Sequence, residues 1–149
     1  MGWPCYCSRP TIPYLTEHQL GIFFLDRLEC ARAALKVLPD GAIRYAGPVP
    51  RGSPICILGG DDKSMNAATE QAAYASVSES KIAGLLVFIC ICRKAMLGAG
   101  FVREIETIRR VAGPQVPIAG FLTYGEIARS KGKLEGWHNT TTVVVGIPA

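Results

Sequence analysis

The run Leu85-Leu86-Val87-Phe88-Ile89-Cys90-Ile91-Cys92-Arg93, set beside Pro117-Ile118-Ala119-Gly120-Phe121-Leu122-Thr123-Tyr124-Gly125-Glu126-Ile127, decides how this chain folds. Each is an apolar run of strand length that ends in groups able to hold charge: a guanidinium in one, a phenol and a carboxylate in the other. An uninterrupted apolar strand is expected to be buried on both faces, in the middle of a sheet. A charge at its end then sits at the rim of the core, partly desolvated, where its hydrogen bonds count most. Rims of this kind hold small ligands in many proteins.

Outward from these strands, Asp61 or Asp62 caps a helix running to about Ser80, with an apolar stripe of Met65, Ala68, Ala72 and Ala75. A second helix, about Ala99 to Ala112, places Phe101, Ile105, Ile108 and Ala112 on one face. Its opposite face carries Glu106 and Arg110 as an i,i+4 pair, and Gly113-Pro114 ends it. On the N-terminal side, residues 1–20 read as an irregular arm and Gly21–Leu25 as a short strand. Leu28–Leu38 has helical spacing and stops at Pro39-Asp40-Gly41. Ala42–Ala46 and Pro54–Leu58 read as the two arms of a hairpin, with an edge strand beside Pro48 and Pro50. Ser130–Gly136 is a polar loop and Thr140–Ile147 a final β-branched strand. The resulting order, βαββαβαββ, predicts an α+β domain over residues 21–149. Its expected core is a single mixed, largely antiparallel sheet packed with helices.

Composition narrows the function. The chain has 149 residues, 49% apolar and 19% charged, enough for one domain with a proper core. Its longest apolar run, Ala83–Cys92, is ten residues, about half of what a membrane-spanning helix needs. Met1–Pro10 lacks a signal-peptide pattern, so a cytoplasmic protein without membrane contact is expected. The net charge of +4 is scattered among acids, without the basic stripe of a nucleic-acid binder. Of six cysteines, Cys56, Cys90 and Cys92 lie in strand-like runs and are expected to stay reduced. Cys5-x-Cys7 and Cys90-x-Cys92 lack the two-residue spacing of structural zinc loops. If the second pair lies in a strand, only one of its members can face a given site. Neither metal nor cofactor is expected.

Among residues that can carry chemistry, Arg93 comes first. Its planar fork holds a carboxylate with two hydrogen bonds; the bland alternatives are capping of sheet-end carbonyls or pairing with Glu126. Tyr124 and Glu126 flank Gly125 and, in an extended segment, project to one side, leaving room for a ligand beside the glycine. His138 can contact ligand or titrate near neutrality, while Asn139 can serve either a ligand or a turn. Cys90, His138 and Glu126 can be assembled on paper as a thiol-enzyme triad. Burial of Cys90 is expected to raise its thiol pKa and make it inert, and Walker and dinucleotide-loop signatures are absent.

The strand ending Cys90-x-x-Arg93, then Leu97-Gly98, an acidic helix, Gly120-Phe121-x-x-Tyr124-Gly125-Glu126-Ile127 and finally His138-Asn139-x-Thr141 resembles the C-terminal half of FIST proteins. The likeness covers roughly residues 41–145, here without the usual N-terminal half. It implies a sensory domain of intracellular signalling that binds small ligands such as amino acids. Cys90, Arg93, Tyr124, Glu126, His138 and Asn139 then become the candidate ligand contacts. Arg93 would take a carboxylate and Glu126 an ammonium, in a pocket where the two strands end. Output would pass to a separate signalling protein. A homodimerising interaction module is the second reading and a thiol enzyme the third; the leading expectation is a binding domain, not an enzyme.

Overall fold

A computed structural model describes residues 12–24, 27–78, 81–128 and 136–149. The protein is α+β, and among the described residues its strands form four small sheets rather than the single sheet expected. The three-stranded sheet β10-β6-β7 organises the rest: β6 (Ile82–Cys90) pairs antiparallel with β10 (Thr142–Pro148) and parallel with β7 (Ile118–Thr123). Strand β6 is the central apolar run expected from the sequence, but only one of its faces is covered. Leu85, Val87 and Ile89 point inward and pack with Ala73 of α2 (Asp62–Val77) and Ile108 of α4 (Val102–Ala112). Leu86, Phe121, Val145 and Ile147 lie exposed on the other face, where Phe88 and Phe121 meet edge to face at 5.1 Å.

Helix α2 starts where the sequence places it. Asp61 accepts from the Ser64 amide at 2.7 Å, and the Ser64 hydroxyl accepts from the Asp61 amide at 3.0 Å, a reciprocal capping box. The Ser64 hydroxyl is the main reason the Asp61 carboxyl sits below its ordinary pKa. A depressed carboxyl stabilises the fold above its unfolded pKa, near 4, and loses that contribution as pH falls through the folded value. Asp61→Ala is therefore expected to lower Tm at pH 7, with the deficit shrinking below about pH 4 in scans of both proteins. The buried stripe of α2 is Met65, Thr69 and Ala73, rotated from the alanine stripe expected, with Ala68 and Ala75 exposed. On α4, Glu104 and Ile108 are buried and Ile105 is 38% exposed. Arg110 reaches Glu70 of α2 at 3.0 Å instead of Glu106.

The N-terminal third departs most from expectation. Within the supposed arm, Ile12–Glu17 forms helix α1; residues 1–11, with Cys5 and Cys7, lie outside the described chain. The expected helix over Leu28–Leu38 is instead β2 (Arg27–Arg32) and β3 (Ala34–Val37). Cys30 and Arg32 are buried with Ala31 only half-buried between them, the two-residue period of a strand, while Leu28 and Leu35 of the supposed helical stripe are exposed. The alanines and leucines favour a helix locally, but β1 (Leu20–Phe24) provides a partner strand and tertiary pairing prevails. Pro39-Asp40-Gly41, read as a helix stop, turns a hairpin from β3 to β4 (Ile43–Tyr45). The Leu38 amide donates to Ala42 O at 2.7 Å, with Gly41 at φ 88°. The expected hairpin of residues 42–46 with 54–58 does not form: β5 (Ile55–Ile57) pairs with β1 as an edge strand. A small ladder of β8 (Glu126–Ala128) and β9 (Gly136–His138) completes the strands; residues 130–135 of the expected polar loop are outside the described chain. No described helix is long and apolar enough to cross a membrane.

Candidate functional site

Strand β6 ends at Cys90, and the chain turns at once into the short helix α3 (Ile91–Leu97). The apolar run alone would carry the strand on to Cys92; the turn instead places Arg93 on a helix, pointing into the core. Its side chain is 6% exposed, and its guanidinium meets the carboxylate of Glu104, whose side chain is 0% exposed. Nε donates to both carboxylate oxygens at 3.0 and 3.1 Å, and Nη2 donates to the same group. Further donations go to Thr69 Oγ1 at 3.0 Å, Met65 O at 2.8 Å and Thr140 O at 3.2 Å. The Thr69 hydroxyl itself donates to Glu104 at 2.6 Å. Arg93 is thus a clasp joining α3, α4, α2 and the turn before β10. This corrects its expected role as first contact for a ligand carboxylate: the fork is occupied by an internal carboxylate. The partner is Glu104, not Glu126.

Glu126 is buried separately, 4% exposed, and accepts hydrogen bonds from the hydroxyls of Thr123 and Thr141. Asn139 is 1% exposed; its Oδ1 accepts from the Ala33 amide at 3.3 Å, while its Nδ2 has no partner among the described residues. Thr140 follows at φ 60°, a strained backbone for a β-branched residue. His138 lies opposite Glu126 in the β8–β9 register. Tyr124 turns away, 86% exposed, because the chain bends at Tyr124-Gly125 instead of staying extended. Gly125 makes room for Trp137 and not for a ligand: a Cβ there would lie 2.2 Å from the indole ring. Trp137 is fixed by donating to Ala46 O at 2.8 Å and by Arg32, which donates to Trp137 O at 2.7 Å.

The Cys90 amide donates to Thr141 O at 3.0 Å, and its side chain is in hydrogen-bonding contact with Cys92. That hydrogen bond draws the Cys90 thiol down to about 7 against the upward push of burial, helped by the Thr140 backbone. Cys92 is driven upward, first by the same contact and then by burial. Cys90 is buried as expected, but the downward pull on its thiol opposes the rise expected from burial; Cys92 lies on helix α3, so strand alternation does not govern the pair.

Of the six candidate contacts, Cys90, Glu126 and Asn139 gather at the C-terminal end of β6. Arg93 reaches that end only through Thr140 O, His138 flanks it across the register, and Tyr124 leaves it. Arg93, Tyr124 and Glu126 do not come together among the described residues: Arg93 is enclosed with Glu104, Glu126 with Thr123 and Thr141, and Tyr124 is exposed. The shallow groove on these strands lies at their other end, lined by Ala83–Leu86, Pro117–Ala119 and Ile147. Glu104, Thr69 and Arg32 are absent from the sequence-based candidates. Glu104 carries a faint signal, a charge three residues after Phe101 and four before Ile108 on an apolar stripe. Arg32 carries none, because the helical spacing over Leu28–Leu38 hides its strand period.

No curated protein and no solved structure matches this chain. The family model for the FIST C domain matches residues 8–129, starting well before the likeness carried by the motifs and stopping short of His138 and Asn139. That match spans most of the 149 residues and includes the Cys90-x-x-Arg93 and Tyr124-Gly125-Glu126 blocks. The chain belongs to the FIST C domain family, a family of sensory and signal-transduction domains.

Proposed function

We propose that this domain senses a small molecule, an amino acid or small carboxylate, at the C-terminal end of β6 beside Glu126, Asn139 and Cys90. The supporting observation is the unpartnered Nδ2 of Asn139 on a residue 1% exposed. A buried donor left unpaired costs about 1–3 kcal/mol, and a ligand carboxylate or carbonyl oxygen would satisfy it. Glu126, its oxygens aligned by two threonine hydroxyls, supplies the charge for a ligand ammonium. Arg93 acts behind the site, holding the Thr140 turn next to Asn139. The role is binding and not catalysis, and the signal passes to a separate cytoplasmic protein. A ligand present at a hundred times its Kd should raise stability by about 2.7 kcal/mol, seen as a higher Tm in a screen of amino acids and dicarboxylates. Asn139→Ala and Glu126→Gln are expected to abolish that rise while remaining folded by circular dichroism. An undiminished response in both variants would place the ligand elsewhere.

A second reading, self-association, is favoured by the uncovered sheet face bearing Leu86, Phe121, Val145 and Ile147. Light scattering of the protein and of Phe121→Lys tests it: a dimer lost in the variant supports it, and a monomer at all concentrations removes it.

A further inference from the structure

We infer that Arg32, together with the side-chain amide of Asn139, takes the carboxylate of an amino-acid-like zwitterion whose ammonium faces Glu126, an inference that rests on the ligand site proposed above. Arg93 and Arg32 are buried alike, 5% and 6% exposed, yet their surroundings differ. Arg93 meets a carboxylate, that of Glu104. Arg32 meets only carbonyls: Nε donates to Pro48 O at 2.9 Å, and Nη1 to Ala31 O at 3.1 Å and Trp137 O at 2.7 Å. No ion pair among the described residues includes Arg32. Neutral carbonyls fix the direction of the fork but leave its charge without a counterion, and a buried charge is stable only when paired. Its Nη2 donates to no described residue, so the guanidinium still has N–H groups to give.

Arg32 ends β2, and Asn139 follows directly on β9. The two strand ends are joined twice in succession, by Arg32 to Trp137 O and by the Ala33 amide to Asn139 Oδ1 at 3.3 Å. The unpartnered Asn139 Nδ2 therefore belongs to the same junction as the guanidinium. Both groups are donors only, and one is permanently charged, so together they select an acceptor that carries negative charge. A carboxylate fits, with one oxygen for the guanidinium and one for the amide. Next to Asn139, His138 stands opposite Glu126 in the β8–β9 register, which puts negative charge on the neighbouring strand. A positive and a negative end on adjoining segments suit a zwitterion better than a dicarboxylate.

The test uses the full chain, folded and isotope-labelled, with sodium acetate replacing sodium chloride stepwise at constant ionic strength. NMR follows the Arg32 Nε–H and Asn139 Nδ2–H signals. Both are expected to shift and saturate, while the Nε–H of Arg103, whose side chain is 63% exposed, drifts without saturating. Acetamide, the neutral isostere, is expected to move neither. Arg32→Lys keeps the charge but loses the fork, and should weaken acetate at least about tenfold, read on the Asn139 signals. A parallel titration with glycinamide, an ammonium without a carboxylate, reads the Glu126 end through the backbone amides of Thr123 and Thr141. Acetate silent at Arg32 while glycinamide saturates at Glu126 overturns the inference and leaves the ligand site standing; silence in both removes the two together. Asn139 signals that saturate equally well in Arg32→Lys overturn it too, leaving Asn139 as the contact. If the variant fails to fold, the Arg32 signal of the wild type alone decides.

Discussion

Arg93→Ala is expected to cost about 3–5 kcal/mol of stability, because it strands the Glu104 carboxylate inside the core with its countercharge removed. Glu104 has a fully buried side chain and would keep a hydrogen bond from Thr69 alone among the partners described. The loss is large against a typical total of about 5–15 kcal/mol. It would extend beyond the pair, because the guanidinium also holds Met65 O and Thr140 O. Urea denaturation followed by circular dichroism measures it. A double replacement, Arg93→Met with Glu104→Leu, should recover much of the loss, since an apolar pair of similar volume avoids desolvating two charges. A single variant less than about 1 kcal/mol below wild type would mean that Glu104 finds water or another donor. The same measurement separates clasp from ligand contact. A clasp residue destabilises the ligand-free protein, as expected for Arg93, whereas Asn139→Ala should act chiefly on the ligand response.

Gly120→Ala is the second large effect, expected at about 3 kcal/mol or more. Gly120 is the register partner of Val87 in the parallel β6–β7 pair. A Cβ there would stand 1.9 Å from Val87 O and 2.8 Å from its carbonyl carbon. Those are backbone atoms of the central strand, so no rotamer change relieves the clash; either the methyl carbon strains the pair or β7 separates from β6. The readout is a lower urea midpoint together with faster trypsin cleavage around Arg109 and Arg110, which precede β7. Gly59→Ala is the control: a Cβ added there meets no atom within 4 Å, and its φ is not positive. It should be close to neutral or slightly stabilising through the unfolded chain. Equal effects at the two glycines would remove the steric explanation.

The features legible in the sequence share a cause. The central strand is a dense apolar run of strand length, and recognising it needs no knowledge of its partners. Helix α2 announces itself by Asp61 and Ser64, whose capping contacts span three residues. The Gly120 to Ile127 motif carries the family for the same reason, as a local pattern dense enough to be specific. The expectations that fail depend on partners distant in sequence. Residues 28–38 satisfy a helical spacing, yet β1 and β4 compete for their backbone hydrogen bonds and win. Nothing within those eleven positions encodes that competition.

The candidate site divides in the same way. Cys90, Arg93, Glu126 and Asn139 are legible as residues of consequence, because charged or polar groups beside apolar runs must find partners. Which partners they find is not legible. Arg93 meets Glu104 eleven residues on, across a turn and a helix, and Glu126 meets Thr141 fifteen residues on. The order of residues was enough to specify an α+β chain of this family, with a buried central strand and polar groups at its rim. That Arg93 is a clasp and that Gly125 serves Trp137 emerged only from the folded chain. Hydrophobic burial follows composition, which is written residue by residue; hydrogen bonds and ion pairs follow distance and direction, which exist only once the chain has closed on itself.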